Sequence, residues 1–273
     1  MQASARSPEI GKLRLFDSCV TLGRMAMAEM PEWLTPSNVV EVMDKYDVAE
    51  ALVHSNDARL RHPRAAGNRQ LLTDIAAIPR LHPVWVLEPP ESAPPKAAQA
   101  MVEEMVAAGV KAARLMMGFA PPLPWLWEAT CASLEEHRVP CFLDFAPTAS
   151  GSHGNTQGVP DAASIHHLHD LCLAHPQLPM IISHAFGGVG ISQPTLPLMR
   201  RVPNLHLDIT CLLDYWKRAV VELGPERVFF ATGMPFDDPS WRVSNVQYAH
   251  EIDGAAKRQI CGDNLRRLME AVR

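Results

Sequence analysis

Eight short apolar runs punctuate this chain, and a longer amphipathic stretch follows most of them. The runs are Leu13–Val20, Ala49–His54, Leu81–Leu87, Val110–Met116, Cys141–Phe145, Met180–His184, Leu205–Ile209 and Val228–Thr232. None alternates cleanly between apolar and polar residues, the pattern of strands buried on both faces, as in parallel sheets. Helical spacing marks Asn38–Tyr46, Asn68–Ile78, Pro95–Ala108, Trp125–His137, Ala162–Ala174 and Leu213–Leu223. Parallel strands alternating with helices imply right-handed crossovers. Eight such units in 273 residues match the size of a closed (β/α)8 TIM barrel of the α/β class. The expected domain is one barrel over residues 1–273. An open doubly wound sheet lacks support, because no GxGxxG turn follows the first run.

Local signals agree. Thr35-Pro36-Ser37 supplies a cap and a proline at a helix start, and Gly109 ends another helix. Residues 146–159 are rich in Gly, Ser, Pro and Thr and read as a long loop after the fifth strand.

Charge and cysteine usage narrow the partners. The net charge is −5, with no basic stripe interleaved with aromatics, which gives no electrostatic case for nucleic acid or an anionic membrane. No segment approaches the roughly 20 apolar residues of a bilayer span. Cys19, Cys131, Cys141, Cys172, Cys211 and Cys261 form no CxxC pair and read as buried free thiols of a reducing compartment. The N-terminus lacks a signal-peptide core. A cytoplasmic enzyme of small molecules, able to pair as a homodimer, is the expectation.

Barrel sites form at the C-terminal ends of the strands. The polar residues there are Asp17, Cys19 and Thr21 on the first strand, His54 and Asn56 after the second, and Arg114 on the fourth. Asp144 ends the fifth and His184 the sixth, the seventh carries Asp208, the eighth ends in Thr232-Gly233, and Asp237 and Asp238 follow it. Two-residue periodicity puts Asp17, Cys19 and Thr21 on one face. His184 and Asp144 suit acid/base work. Arg114 suits either a bidentate clamp on a substrate carboxylate or an ion pair with Asp144 or Asp208. Cys19 is a nucleophile if a base such as His184 lowers its pKa, and otherwise a small buried hydrophobe. His54, Asn56, Thr21 and Asp237 are candidate pocket residues. Asp17 reads as a structural acceptor, and His166, His167 and His169 as helix-face histidines.

Several segments together resemble the amidohydrolase-related family of metal-dependent hydrolases and decarboxylases. Asp17-Ser18-Cys19-Val20-Thr21-Leu22-Gly23 resembles its opening Asp-x-His-x-His-x-Gly stretch. Pro140–Asp144 resembles its fifth strand, Met180–Gly188 its sixth with the His and Gly-Gly retained, Asn204–Thr210 its seventh, Arg227–Pro235 its eighth, and Ile260–Leu268 its closing helix. The resemblance implies one or two divalent metals held by two His of strand 1, a His each of strands 5 and 6, and an Asp of strand 8. Those positions here read Cys19, Thr21, Asp144, His184 and Gly233. A Cys and a Thr cannot replace two imidazoles without a large loss of metal affinity. The expectation is therefore a site with no metal and no cofactor. Zn2+ or Mn2+ at a rebuilt site of Asp144, His184 and Cys19 is the alternative. The activity implied is hydrolysis of an ester, lactone or amide of a small organic acid. A metal-independent decarboxylase or lyase, and a non-catalytic binding barrel, are the alternatives.

Overall fold

A computed structural model describes residues 10–24, 33–60, 63–87, 94–117, 120–145, 162–183, 189–211 and 215–273. The alternation seen in the sequence is realised. Strand β1 (Leu15–Arg24) pairs in parallel with β3 (Val48–Ser55), and β3 with β4 (Leu81–Pro83). Strand β5 (Trp85–Val86) pairs with β6 (Ala113–Met116). Then come β7 (Cys141–Asp144), β8 (Met180–Ser183), β9 (Leu205–Asp208) and β10 (Val228–Phe229), each parallel to the last. Two-residue β2 (Trp33–Leu34) is antiparallel to the end of β1.

Backbone bonds join these ladders into a closed barrel. Val84 N–H donates to Val53 O at 2.8 Å, so β4 and β5 are one barrel strand broken at Val84. Pro83 cannot donate to a ladder, which accounts for the break. At the other seam Ser18 N–H donates to Phe230 O (3.0 Å), Gly233 N–H to Cys19 O (3.2 Å) and Thr21 N–H to Met234 O (3.0 Å). The eight barrel strands among the described residues thus form a (β/α)8 TIM barrel.

Helices cover the outside. They include α1 (Pro36–Lys45), α3 (Arg64–Ile75), α4 (Pro95–Ala107), α5 (Pro124–Glu136), α6 (Ala162–Ala174), α7 (Val189–Met199) and α8 (Trp216–Leu223). Short α2 (Asn56–Leu60) follows β3, and α9 (Pro239–Gln247), α10 (Gly254–Arg258) and α11 (Asn264–Glu270) follow β10. Thr35 caps α1 through a hydrogen bond from Asn38 N–H at 3.2 Å, with Pro36 in the first turn. Gly109, at φ 77°, takes the left-handed position beyond α4 that a side chain resists.

The interior is layered. Phe16, Leu52, Val84, Ala112, Phe142, Ile181 and Phe229 fill the lower barrel, and Leu265 and Met269 of α11 pack against them. Each such side chain contributes roughly 1.5–3 kcal/mol on burial. The layer above, toward the C-terminal strand ends, is polar. No described helix is long and apolar enough to cross a membrane.

Candidate active site

Register explains how the polar layer assembles. Asp144 lies beside Ser183 in the β7–β8 ladder, and the Ile182–Leu207 pairing puts Ser183 next to Asp208. Arg114 starts one level lower, opposite Phe142. Its stem rises past that ring, with the guanidinium carbon 5.6 Å from the ring centre. Nη1 then donates to Asp144 Oδ2 (2.9 Å) and Ser183 Oγ (3.3 Å), and Nη2 lies 3.6 Å from Cys19 Sγ. Arg114, Asp144, Ser183, Asp208 and Cys19 are all fully buried. Burial pushes the Arg114 pKa down, but the facing Cys19, Asp144 and Asp208 outweigh it and hold the value above the ordinary one.

A second guanidinium joins them. Arg59 Nε lies 3.5 Å from Asp144 Oδ2, and its guanidinium carbon sits 5.2 Å from the centre of the Phe236 ring. Arg59 belongs to α2, whose carbonyls at Ala58 and Arg59 each accept from Arg64 Nη1 at 2.7 Å. Arg64 thus pins the short helix, and with it the second cation. Gly67 of α3 permits this approach, because a β-carbon there would lie 2.5 Å from Ala58 N.

Asp208 is held by three donors. Oδ1 accepts from Thr210 N–H (2.9 Å) and from the Thr210 hydroxyl, while the Cys211 thiol, 3.4 Å away, lies closer to Ile182 O at 2.9 Å. Oδ2 accepts from Ser183 Oγ at 2.6 Å.

At the barrel seam Asp17 Oδ1 accepts from Cys19 N–H (3.0 Å) and Thr232 N–H (2.9 Å), and Oδ2 from the Thr232 hydroxyl (2.5 Å). Burial pushes its pKa up from 3.8 to about 7, against the pull of those bonds. The β1–β3 ladder shifts register between Asp17 and Val20, so even alternation does not describe this strand.

The other sequence candidates are placed as follows. Thr21 Oγ1 lies 3.0 Å from His54 Nε2, and both are buried where β1 and β3 run side by side. Asn56 is buried at the start of α2. Asp237 is tied to Arg242 Nη2 at 3.0 Å, while Arg242 also donates to Ile209 O. Asp238 caps α9 through Ser240 N–H. His184 lies outside the described residues. All six cysteines are buried free thiols, and burial pushes those of Cys131, Cys141, Cys172 and Cys261 up. His169 sits on α6 against Asp170, away from these groups in sequence and partner alike.

The sequence reading did not single out Arg59 or Ser183, and named Thr232 only as the end of the eighth strand. Ser183 carries a signal, since it sits at a strand end. Arg59 carries none, because its place depends on how α2 folds back.

The chain matches the family described as Amidohydrolase (Amidohydro_2) over residues 27–269, and it belongs to that family. No curated protein matches it. Among solved structures it is similar to an uncharacterized TIM-barrel protein from Bordetella bronchiseptica, at 18% identity and TM-score 0.70, covering 94% of this chain and 99% of that one. It is also similar to the 5-carboxyvanillate decarboxylase of Sphingomonas paucimobilis, at 13% identity and TM-score 0.73, covering 94% and 99%. A third is a dihydroxybenzoic acid decarboxylase from Polaromonas, at 15% identity and TM-score 0.70, covering 94% and 96%. That enzyme was solved with bound manganese and the inhibitor 2-nitroresorcinol. This corrects the expectation of no cofactor. Departure from the family's ligand pattern at Cys19, Thr21 and Gly233 was the ground for it, and the manganese held by a barrel of this fold points instead to a metal cofactor.

Proposed function

We propose that this chain is a decarboxylase of a small aromatic carboxylic acid, with Arg114 as the anchor for the substrate's carboxylate. One observation carries the reading. Arg114 and Arg59 converge on one buried carboxylate, and Nε of Arg114 finds no acceptor among the described residues. A buried charged donor left without an acceptor costs about 1–3 kcal/mol. A carboxylate oxygen offered by a substrate removes that cost, and the fork geometry of a guanidinium suits it. The decarboxylases of like fold support the same substrate class.

Manganese is the cofactor those neighbours point to. When bound, such an ion supplies positive charge against a substrate's oxygens. The described residues alone do not fit it, since no three His, Cys, Asp or Glu side chains among them are placed to hold a metal ion. Of the candidates at the family's ligand positions, Cys19 and Asp144 both lie against Arg114. What the chain's own residues do is orient and enclose. Asp144, Ser183 and Cys19 fix Arg114 from three sides, and the fully buried layer keeps bulk water from screening its charge. Asp144 and His184 are the acid/base candidates for replacing the carboxyl group with a proton on the ring.

The Amidohydrolase match and the Cys19 thiol beside Arg114 favour a second reading, hydrolysis of an ester, lactone or amide. One screen separates the two. Purified protein is given 2,6-dihydroxybenzoate, 5-carboxyvanillate and benzoate, with added manganese and again after chelation. Carbon dioxide release that falls at least about a hundredfold in Arg114→Met supports decarboxylation. Turnover of phenyl esters or lactones without carbon dioxide from any acid sinks it in favour of hydrolysis.

A further inference from the structure

We infer that Asp208 is a positioning residue that orients the Arg114 guanidinium toward substrate through the hydroxyl of Ser183. The inference rests on the reading of Arg114 as carboxylate anchor, and adds the device that aims it.

The Ser183 side chain acts through its hydroxyl. It has one proton to give and lone pairs to receive with. Ser183 Oγ lies 2.6 Å from Asp208 Oδ2, an acceptor, and 3.3 Å from Arg114 Nη1, which only donates. The proton must therefore point to Asp208, and the lone pairs must face Arg114. Without Asp208 the hydroxyl is free to turn its proton toward the guanidinium and repel it. Asp208 cannot itself swing away, because the Thr210 N–H and hydroxyl hold its other oxygen. The three partners sit at one level of adjacent strands β7, β8 and β9, so the rigid sheet sets the spacing.

The consequence is directional. Both protons of Nη1 are used, one on Asp144 and one on Ser183. This fixes rotation of the guanidinium plane and leaves the opposite edge, Nε with the Nη2 that also faces Cys19 Sγ, off Asp144 and Ser183. Nε is the atom without an acceptor among the described residues. Asp208 and Ser183 thus decide which edge of Arg114 is left for a carboxylate. The ligand class is a small aromatic monocarboxylate, recognised by a side-on pair of N–H donors.

The test uses full-length protein and two probes, benzoate and its uncharged isostere benzamide, by calorimetry. Arg114→Met should weaken benzoate at least tenfold and benzamide little. Ser183→Ala and Asp208→Asn should each weaken benzoate by about three- to tenfold, leave benzamide within about twofold, and show no further loss when combined. Nitrogen-15 spectra of the arginine side chains give a readout that does not depend on either probe. The Arg114 Nη groups should rotate slowly in the natural protein and faster in both variants. Equal losses for benzoate and benzamide would mean general damage to the pocket and overturn the proposal. So would unchanged Arg114 rotation in both variants. Faster rotation with benzoate binding insensitive to Arg114→Met would keep the orienting link while refuting Arg114 as the anchor, and the two failures are thereby told apart.

Discussion

Replacing Asp144 by Asn tests whether the buried charges act as one unit. Asp144 Oδ2 lies 2.9 Å from Arg114 Nη1 and 3.5 Å from Arg59 Nε, and the side chains concerned are 0–3% exposed. At an effective dielectric constant of about 20, each contact is worth on the order of 5 kcal/mol before desolvation. Desolvation of the three ions offsets most of this, so the pair is a poor source of net stability. Removing only the carboxylate is different, because it strands two guanidiniums that face each other in a dry layer. The expected loss for Asp144→Asn is about 3–5 kcal/mol. The double variant Arg114→Met/Asp144→Asn removes charge of both signs together, and should regain at least about 2 kcal/mol of that loss. Urea unfolding by circular dichroism measures both, with the slope of the transition checked for constancy. An Asp144→Asn variant within about 0.5 kcal/mol of the natural protein would refute the reasoning. So would a double variant whose loss equals the two single losses added together, since residues in one network are coupled.

Two further outcomes follow from the same layer. Asp17 has a folded pKa of about 7 against 3.8 unfolded, so between those values the folded state holds a proton that the unfolded state has released. Stability should therefore fall as pH rises from about 4 to 7, by about 4 kcal/mol from this group. Asp17→Asn should flatten that slope in urea titrations at successive pH values, and an unchanged slope would show that Asp17 titrates normally. Gly67→Ala reverses the usual sign for a helix. On an open helix the change stabilises by about 0.5–1 kcal/mol. Here the new β-carbon meets the Ala58 backbone at 2.5 Å and pushes α2 outward, so a loss of about 1–3 kcal/mol is expected. A rise in melting temperature for Gly67→Ala would show that α2 and α3 are not packed this way.

How legible this molecule is from its sequence differs by element. Strands such as Cys141–Asp144 and Met180–Ser183 are readable because both faces are buried and the runs carry no alternation. Helix α7 is not readable, because Pro194 and Pro197 lie within it and each removes a backbone donor. The break at Val84 is written only as a proline one residue earlier. In β1 a two-residue period misplaces Asp17 relative to Cys19, since the register shift turns Asp17 toward Thr232 across the seam. The strand-end residues Asp144, Arg114 and Asp208 are visible as candidates in the sequence. An ion pair of Arg114 with Asp144 is among the sequence expectations and is realised, whereas the Ser183 bridge to Asp208 is not legible, because it depends on the shear between strands β6 to β9. Arg59 is the extreme case. It reaches Asp144 through the five-residue α2, which Arg64 holds by two backbone carbonyls, and no local pattern announces that.

The two halves of the barrel interior also weigh the functional readings against each other. Below, Phe16, Leu52, Phe142, Ile181 and Phe229 pack with α11 in the manner of an ordinary core. Above, the same cross-section holds Arg114, Asp144, Ser183 and Asp208, each without solvent exposure. Well-packed apolar residues at such positions are often neutral or stabilising by about 1–4 kcal/mol relative to an ion pair. Stability therefore gives no reason for the upper layer, and neither does a role as a scaffold for partner chains, which depends on surface rather than interior charge. Fixed charges set in advance in a dry site do have a use, which is to meet charge on a bound molecule without reorganising. The site is also asymmetric in the sense that matters for this use. Asp208 takes donors from the chain on both of its oxygens, whereas Arg114 retains a donor with no acceptor among the described residues. A buried guanidinium with a donor to spare suits a ligand that brings an anionic oxygen, in keeping with the proposed acid-binding reading and against a hydrolase of uncharged esters.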